Sequence, residues 1–275
     1  MRMKISIVTV VYNREQTIDD AMESVFRQTH DDIDYIVVDG ASSDGTVEKV
    51  RAFEARVRVA EKKGFSFRWM SEPDNGIYNA MNKGIRMATG DIVAILNSDD
   101  FYCGTDTLER VAEAFTGDPE LQVVYGDNVY VREPDLDKIV RYASGGNYNW
   151  FTARCGIVPP HATFFTWRKN FERYGYYDES YRVSADCELE LRFLEKYRLK
   201  SQYLPFSFMA MRLGGTSTSG LRSIVAMQSE CLRACRSNGL YTNRFMQLLR
   251  LVIKVPQKIF KKDSKHCHLG RRARP

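Results

Sequence analysis

The sequence predicts an α/β protein with a mostly parallel, doubly wound sheet, and two observations support this class. Apolar runs of strand length alternate with segments of helical periodicity throughout the first hundred residues. The run from Ile92 to Leu96 is apolar at every position, as is typical of a parallel strand buried on both faces. We therefore expect helices on both sides of the sheet, because parallel neighbours are joined by crossovers that usually contain a helix.

Four strands and three helices account for the first half of the chain. The predicted strands cover residues 5–11, 35–38, 67–70 and 92–96. Core positions of the intervening helices recur at helical spacing: Ile18, Met22, Val25 and Phe26; Val47, Val50 and Phe53; Ile77, Ala80, Met81, Gly84 and Ile85. Polar loops with Asn13, Asp39 and Asp99 follow three of these strands, and we expect the loops to converge at one edge of the sheet.

The second half has a less regular pattern. Residues 123–125 and 129–131 are predicted as short strands around a turn at residues 126–128, and residues 185–197 as a helix. The aromatic, proline-interrupted segment 148–165 favours a loop-rich wall. We place a boundary near residue 220, where the composition becomes basic.

The composition is that of a globular protein, with 44% hydrophobic and 27% charged residues. No stretch approaches the roughly eighteen apolar residues of a membrane span, and no secretion signal is recognisable. The six cysteines are scattered, so we expect reduced thiols in a cytosolic protein. Cys231 and Cys235 with His266 and His268 are spaced too loosely to favour a zinc site.

The charge is unevenly distributed along the chain. From residue 198 onward, sixteen Lys and Arg residues stand against two acidic residues, a net charge of +14, whereas residues 1–197 carry −9. An apolar stripe runs through the same tail: Phe245, Leu248, Leu249, Val252, Ile259 and Phe260. Basic amphipathic helices lie on anionic membranes, and the alternative is a docked helix with a solvated basic face. No nucleic-acid-binding module accompanies the charge, so nucleic acid is not an expected partner.

Residues 97–100, Asn-Ser-Asp-Asp, follow the most apolar strand directly. Adjacent carboxylates repel each other unless a cation or hydrogen-bond donors lie between them. Oxygen ligands at a strand end suit Mn²⁺ or Mg²⁺ brought in with a diphosphate, and a solvated turn is the alternative. The chain has neither a G-x-x-x-x-G-K-[ST] loop nor a G-x-G-x-x-G after its first strand, so the P-loop and dinucleotide-binding motifs are absent.

Six sequence blocks together resemble the family 2 glycosyltransferases, inverting enzymes of the GT-A fold of the type used in bacterial polysaccharide biosynthesis. The blocks are residues 5–13, 37–46, 76–84, 96–100, 175–178 and 186–192. The resemblance implies a Rossmann-like GT-A domain over residues 1–220, with a nucleotide-binding half (1–100) and an acceptor half (101–220), before a basic amphipathic helical tail (221–275). It also implies sugar transfer from a nucleotide diphosphate to an acceptor hydroxyl.

The resemblance assigns donor-site roles to residues at the strand ends. Asp39 corresponds to the carboxylate that accepts a hydrogen bond from the donor base, typically uracil N3–H, and a turn cap is the alternative. Asp99 corresponds to the metal ligand of the family's DxD motif, whereas Asn97 replaces the first Asp and is expected to bond a ribose hydroxyl. Asp100 either orders this loop or coordinates through water. The other residues implied to contact the donor are Val11, Tyr12, Asn13, Asp74, Lys83, Ser98 and Arg212.

Asp186 corresponds to the catalytic base that takes the proton of the acceptor hydroxyl. Glu188 is the second candidate for this role and Glu190 a lesser one. His161 and Glu188 are the acceptor-side candidates. Arg212 begins a Gly/Ser/Thr run that resembles the family's mobile loop over the diphosphate, with a plain linker as the alternative. Met81 stands where many members have Arg, and Lys83 is the nearest basic replacement.

The expected protein is a metal-dependent, inverting glycosyltransferase at the inner face of the cell membrane, extending a lipid-linked glycan from a UDP-sugar. Two alternatives stay open. A nucleotidyltransferase would also use strand-end carboxylates and a divalent metal. A catalytically silent nucleotide-sugar-binding protein at the membrane is the other, and Asn97 is the residue that keeps it open.

Overall fold

The computed structural model describes residues 3–213 and 221–253, which contain nine strands and nine α-helices. The strands are β1 (Ile5–Val11), β2 (Ile33–Asp39), β3 (Phe65–Ser71), β4 (Ile92–Asn97), β5 (Phe101–Tyr102), β6 (Val123–Arg132), β7 (Asp135–Ala143), β8 (Phe165–Trp167) and β9 (Ser201–Arg212). The helices are α1 (Ile18–Phe26), α2 (Thr46–Ala60), α3 (Ile77–Met87), α4 (Thr107–Gly117), α5 (Trp150–Arg154), α6 (Arg168–Tyr174), α7 (Ala185–Leu191), α8 (Leu221–Ser237) and α9 (Arg244–Ile253). A π-helical turn, Arg192–Lys196, continues α7.

The strands form one sheet in the order β3-β2-β1-β4-β8-β6-β9-β5, with β7 paired to β6. All pairings within β3-β2-β1-β4 are parallel. Among the described strands, antiparallel pairings enter only through β5, β7 and β8. The predicted α/β class with a mostly parallel sheet is therefore confirmed, and the βα repeats of the first half lie where the periodicity predicts them.

Two cores cover the two faces of this sheet. Ile5 and Ile7 of β1 pack in the core that includes α1, α2 and α4. Val8 and Val10 pack in the other core, which includes α3, α7 and α8. Because successive side chains of a strand point to opposite faces, a strand with both faces buried must be apolar throughout.

Helix α3 lies unusually close to the sheet. A Cβ built on Gly84 would stand 2.2 Å from Val8 Cγ1 and 3.2 Å from Val38 Cγ2. Any side chain at this position would push α3 away from β1 and β2. Met81, on the same helix, is buried in the core, so its thioether packs where a charged side chain would be unpaired.

The predicted turn at residues 126–128 is wrong, because β6 runs continuously through it with an irregular register against β9. Asp127 is buried and accepts hydrogen bonds from the Tyr203 hydroxyl (2.8 Å), the Gly145 N–H (2.8 Å) and the Tyr142 hydroxyl. Gly126 leaves room for the Phe208 ring, since a Cβ on this glycine would stand 2.3 Å from the ring. Residues with turn propensity are thus held in a strand by partners distant in sequence.

The C-terminal helices pack on the domain as far as the structure describes them. Cys231, Ala234, Cys235 and Leu240 are buried in the same core as β1 and α3. The five cysteines among the described residues form no disulfide, and no metal-binding group of three His, Cys, Asp or Glu occurs in these ranges. Within the same ranges, no helix is long and apolar enough to cross a membrane. The predicted residues His266 and His268, like Ile259 and Phe260, lie outside the described residues.

A buried ionic cluster lies at the N-terminal end of strand β2. Asp34 of β2 is fully buried and accepts hydrogen bonds from Ser6 Oγ (2.7 Å), the Thr89 N–H (2.9 Å) and Arg68 Nη2 (2.7 Å). Burial acts to raise the pKa of Asp34, but the Arg68 guanidinium and these donors outweigh it and hold the pKa below its usual value. The carboxylate therefore links β1, β2, β3 and the loop before β4 as an anion.

We expect Asp34→Asn to lower the free energy of unfolding by about 3 kcal/mol at neutral pH, because it leaves Arg68 without its buried partner. Since the folded pKa is depressed, this stabilisation is present above the ordinary carboxyl pKa and is lost as the pH falls through the folded value. Urea unfolding at pH 7 and at acidic pH measures both effects. Asp137→Asn, the same change on an exposed side chain of β7, is the control. Equal unfolding midpoints for Asp34→Asn and the wild type would contradict the prediction.

Candidate active site

The loops after β1, β2 and β4 meet at one edge of the sheet. The parallel register places the buried Val11 of β1 beside Asp39 of β2, and Val10 beside Asn97 of β4. In the strand order β3-β2-β1-β4, the strands that follow β1 in the chain lie on both sides of it. Open sheets bind ligands at such a switch point in the strand order. The predicted convergence of these loops is therefore present.

Asp39 is fully buried and closes the turn after β2. Its carboxylate accepts hydrogen bonds from the Ser42 N–H (3.0 Å), the Ser42 hydroxyl (2.5 Å) and the Ser71 hydroxyl of β3 (2.6 Å). A carboxylate offers about four acceptor positions. The turn-cap interpretation of Asp39 therefore describes real contacts, and these contacts use three of the four acceptor positions.

Tyr12, Gly40 and Asp74 lie against one another at the same edge. A Cβ on Gly40 would stand 2.5 Å from Asp74 Oδ2 and 3.5 Å from Tyr12 Cδ2, so a side chain there would displace the carboxylate. The Tyr12 side chain is 59% exposed although it directly follows a buried strand. An exposed ring beside a carboxylate offers a flat apolar face and an acceptor to a heterocyclic base.

Asn13 and Lys83 hold the shape of these loops. Asn13 has a left-handed backbone (φ 50°), its N–H donates to Ser42 Oγ (2.8 Å), and its Oδ1 accepts from the Ser43 N–H (2.9 Å). Lys83 of α3 forms an ion pair with Glu72 over 2.7 Å. The predicted donor contact of Lys83 would therefore share its charge with Glu72.

Asn97 and Asp100 close the loop after β4 with two hydrogen bonds. The Asp100 N–H donates to the Asn97 carbonyl (3.1 Å), and the Asn97 amide donates to the Asp100 carboxylate (3.1 Å). Ser98 and Asp100 are buried, whereas Asp99 is partly exposed. Burial and the neighbouring Asp99 carboxylate raise the pKa of Asp100 to about 8. Asn97 Oδ1 is buried and has no hydrogen-bond partner in the described ranges, so it can accept from a ligand.

Arg212 ties the end of β9 to this loop. Its Nη1 donates to the Asp99 carbonyl (2.8 Å), its Nε lies 3.1 Å from Glu133 Oε1, and its Nη2 pairs with Asp20. The side chain is only 7% exposed. Arg212 thus supports the backbone of Asp99, and its predicted contact with a diphosphate would compete with Asp20 and Glu133.

The residues after β4 fit a metal that arrives with its ligand. Divalent cations at nucleotide sites often take one or two protein carboxylates and complete their coordination with phosphate and water. Asp99 supplies one partly exposed carboxylate, and the adjacent Asp100 is buried. Since no group of three potential ligands occurs among the described residues, the donor set suits such a partial site better than a closed structural one.

Asp186 occupies the first turn of α7, where the helix dipole favours a carboxylate. Its side chain is partly exposed, and the Tyr78 hydroxyl of α3 donates to Oδ1 over a long 3.4 Å. The Tyr78 ring stacks on Tyr177 with centroids 5.7 Å apart. Burial and the Asp186 charge raise the pKa of Tyr78, so its hydroxyl remains a donor.

His161 packs against Tyr177. Its Nε2 is 3.3 Å from the Tyr177 hydroxyl, and its Nδ1 is 3.1 Å from Glu190 Oε1. Burial raises the pKa of Glu190 to about 7. For His161, burial lowers the pKa but the Glu190 carboxylate outweighs it, so the pKa is raised. The contact of His161 with Tyr177 connects this pair to the ring that stacks on Tyr78.

Glu188 points away from this group. Both of its oxygens accept from Arg192, with the shortest distance 2.7 Å, and Oε1 also accepts from the Asn238 amide of the segment after α8 (3.1 Å). Residues two apart on a helix face different directions. The structure therefore leaves Asp186 partly exposed beside Tyr78, whereas Glu188 is held in a buried ion pair with Arg192.

Glu230 of α8 is a site residue that the sequence analysis did not identify. Its carboxylate accepts three consecutive backbone hydrogen bonds, from Arg182 (2.9 Å), Val183 (3.0 Å) and Ser184 (2.9 Å). These residues lead directly into helix α7, which carries Asp186 in its first turn. In sequence, a single acid on a basic helix resembles a solvated residue, so only the structure reveals this contact.

Helix α3 joins the strand-end loops to Asp186. Asp74 precedes the helix and touches the strand-end loops, whereas Tyr78 in its first turn reaches Asp186. Asn82 exchanges two hydrogen bonds with the backbone of Tyr177, at 2.9 and 3.0 Å. Tyr78 belongs to a block that the sequence singles out, but no spacing rule assigns its hydroxyl to a carboxylate 108 residues away.

Comparison with known proteins agrees with this arrangement. The family model described as Glycosyl transferase family 2 matches residues 6–179. An uncharacterized glycosyltransferase of Mycobacterium tuberculosis is 32% identical over 189 residues, which are 68% of each chain. A PGL/p-HBAD biosynthesis glycosyltransferase of Mycobacterium bovis is 31% identical over 200 residues, covering 72% of this chain and 73% of the relative.

Two solved structures illustrate the similarity in fold. A mannosyltransferase of Pyrobaculum calidifontis in complex with GDP-Man and Mn²⁺ has a TM-score of 0.61 at 17% identity, covering 95% of this chain and 82% of the other. Staphylococcus aureus TarS (residues 1–349) in complex with UDP-GlcNAc has a TM-score of 0.64 at 14% identity, covering 92% and 72%. The fold is therefore of the GT-A type, and with the family match over more than half of its length this chain belongs to glycosyl transferase family 2.

Proposed function

We propose that this glycosyltransferase moves a hexose from a UDP-sugar to an acceptor hydroxyl with inversion of the anomeric centre, using Mn²⁺ or Mg²⁺. The observation that supports this most is the pairing of a partly exposed Asp186 with Tyr78, on the helix that also adjoins the donor loops. One rigid element thereby relates a candidate base to a candidate donor site. Related folds solved with UDP-GlcNAc and with GDP-Man and Mn²⁺ support the donor class.

The base of the donor is proposed to lie between Tyr12 and Asp39. Tyr12 offers the exposed ring for stacking, and Asp39 keeps one acceptor position for the uracil N3–H. Asp74 and Asn13 line the same loops, and Val11 ends the strand beneath them. A base without a ring N–H would leave the buried Asp39 position unpaired, which makes the contact selective.

The phosphate side is proposed to lie at residues 97–100. Asn97 Oδ1 accepts from a ribose hydroxyl, which gives a partner to this buried oxygen. Asp99 holds the metal, which when bound neutralises the charge of the departing diphosphate. Ser98 and Asp100 order the loop, and Arg212 fixes the Asp99 backbone from beneath. Lys83 is proposed to turn from Glu72 toward the donor when the donor is bound.

Asp186 is proposed to take the acceptor proton. Its partly exposed carboxylate, held by Tyr78 at the start of α7, accepts the proton as the hydroxyl oxygen attacks the anomeric carbon on the face opposite the diphosphate. The Tyr78 hydrogen bond and the position of Asp186 in the first helical turn keep the carboxylate oriented. His161 and Glu190 are proposed to support the acceptor side through Tyr177, and Glu188 to support it structurally.

The acceptor is proposed to be a saccharide carried on a lipid, with the protein held at the inner face of the membrane by its basic C-terminal region. Relatives named for PGL/p-HBAD biosynthesis support a biosynthetic role. The charge after residue 197 supports contact with an anionic surface. A panel of UDP- and GDP-sugars with Mn²⁺, scored for slow release of the nucleoside diphosphate, tests the donor proposal. Preference for a GDP-sugar would contradict the proposed UDP donor.

We expect Asp186→Asn to lower the transfer rate by about a thousandfold or more, because it removes the general base. Donor affinity should stay within a few fold, since Asp186 lies outside the strand-end loops. Single-turnover transfer and calorimetric donor binding give the two quantities. Asp118→Asn, a partly exposed acid paired with Lys200, is the matched control. Full turnover by Asp186→Asn would rule out this base.

We expect chelation of divalent metal to abolish transfer and added Mn²⁺ to restore it. Asp99→Asn should raise the Mn²⁺ concentration for half-maximal activity by about tenfold or more, because a charged ligand becomes a neutral one. Titration of Mn²⁺ at saturating donor measures this shift for the wild type, for Asp99→Asn and for the Asp118→Asn control. An unchanged Mn²⁺ requirement in Asp99→Asn would show that the metal, if used, is held elsewhere.

We expect Glu230→Ala to reduce turnover by about tenfold or more, because the three N–H groups before Asp186 lose their acceptor and the base loses its fixed position. Donor affinity should be unchanged, and Glu230→Gln, which keeps one oxygen, should recover part of the rate. Steady-state kinetics and donor binding on samples with matched thermal unfolding separate positioning from misfolding. Glu172→Ala, which removes an exposed pair with Arg168, is the control. Wild-type turnover in Glu230→Ala would show that α8 is not needed to position the base.

A further inference from the structure

Exposed aromatic residues are concentrated on two neighbouring segments. Helix α5 presents Trp150 and Phe151, and the start of α9 with its preceding turn presents Tyr241, Phe245 and Leu248. Their exposed fractions lie between 42% and 74%. We call these five side chains the aromatic patch. A patch of this kind on a folded protein usually marks an interaction surface.

The two segments are in direct contact. The Arg154 carbonyl at the end of α5 accepts hydrogen bonds from the Thr242 hydroxyl (2.6 Å) and from Gln247 Nε2 (3.1 Å). Phe245 and Leu248 are three residues apart in α9 and lie on one face of this helix, and Tyr241 precedes the helix. The two segments therefore present their exposed side chains on adjoining parts of the molecule.

Ordered backbone holds the patch in place. Asn149 caps α5 by accepting from the Phe151 N–H (2.9 Å) and the Thr152 N–H (3.0 Å), and Thr152 is buried. Gln247 is buried beneath α9. The aromatic side chains are thus presented to solvent by anchored helices.

The charge around the patch is positive. The Arg154 guanidinium lies over the Trp150 ring, 4.8 Å from its centroid. Arg236 of α8 and Arg244 of α9 are exposed and lie within a few residues of Tyr241 in the sequence. No acidic residue occurs in residues 138–171 or 231–253. The following residues, 254–275, add eight Lys and Arg against one Asp.

We propose that the aromatic patch docks on a bilayer with anionic phospholipid headgroups. Trp and Tyr prefer the boundary between apolar and wet regions, and Arg side chains bind headgroup phosphates. A second copy of this chain is a poor occupant, because two such patches would bring the exposed Arg side chains of both copies together. The proposal rests on the proposed lipid-linked acceptor only for its biological purpose, since the surface itself can be tested without turnover.

Sedimentation of the full-length protein with vesicles tests the proposal. We expect binding to phosphatidylglycerol–phosphatidylcholine vesicles, and weaker binding to phosphatidylcholine alone. The double variant Trp150→Ser with Phe245→Ser should lose about tenfold or more in partition constant, because both apolar insertions are removed. Val59→Ser, an exposed apolar residue on α2, is the control and should bind like the wild type. Double-variant binding equal to that of the wild type would overturn the proposal.

Fluorescence gives a second readout that does not depend on a multiple variant. Of the three tryptophans, Trp150 is the one with a largely exposed side chain in the structure. Its emission should shift to shorter wavelength on vesicle binding and be quenched by brominated acyl chains, and Trp150→Phe should bind without this shift. Emission that ignores the vesicles, or a wild-type dimer that the double variant converts to a monomer, would contradict lipid as the occupant.

Donor hydrolysis in vesicle-free buffer separates this proposal from the proposed function. If the double variant hydrolyses the donor as the wild type does but no longer sediments, both proposals stand. If neither protein hydrolyses any donor while the sedimentation difference remains, the docking surface stands and the proposed function fails. If hydrolysis is normal and sedimentation is unaffected by the double variant, the docking surface fails alone.

Discussion

The parallel register of β1 with β2 and β4 is the constraint on which the site depends. It places Asp39 and Asn97 beside the last residues of β1, so polar residues from distant parts of the sequence share one edge. This register is strongly specified, because a slip by one residue would exchange the two buried faces of β1. Gly84 adds a second constraint, since its contact with Val8 and Val38 fixes how closely α3 lies on these strands.

Helix α3 passes this geometry on to the other half of the molecule. Its position on the sheet sets where Tyr78 stands, and Asn82 locks the helix to the backbone of Tyr177. The segment before α7 is held independently by Glu230, whose carboxylate accepts hydrogen bonds from three consecutive N–H groups just before Asp186. Asp186 is thus positioned from two directions, by α3 and by α8. The C-terminal helices therefore belong to the supporting structure of the site as well as to the basic region of the chain.

What the sequence predicted correctly depends on local pattern. The runs of β1, β2 and β4 are recognisable because burial on both faces demands apolar residues at every position, and α3 follows from its periodicity. Residues 126–128 were predicted wrongly because Asp127 owes its strand position to Tyr142 and Tyr203, which no local pattern connects to it. The contacts of Glu230 with the backbone before Asp186 could not be predicted for the same reason. The strand-end residues could be found from order and spacing, whereas the contacts that orient Asp186 could not.

The neutral Asn97 changes what the loop after β4 can hold. Asp100 is buried with its carboxylate beside Asp99, and burial together with this neighbour already raises the pKa of Asp100. A carboxylate at position 97 would replace the amide that donates to Asp100 with a second repelling charge. Arg212 acts to lower the pKa of Asp100 but does not outweigh burial and Asp99, and its guanidinium is also paired with Asp20 and Glu133. On the proposed role of Asp99, the loop therefore offers one charged ligand, and the metal must take the rest of its coordination from the donor's phosphates and water, so that metal and donor bind together.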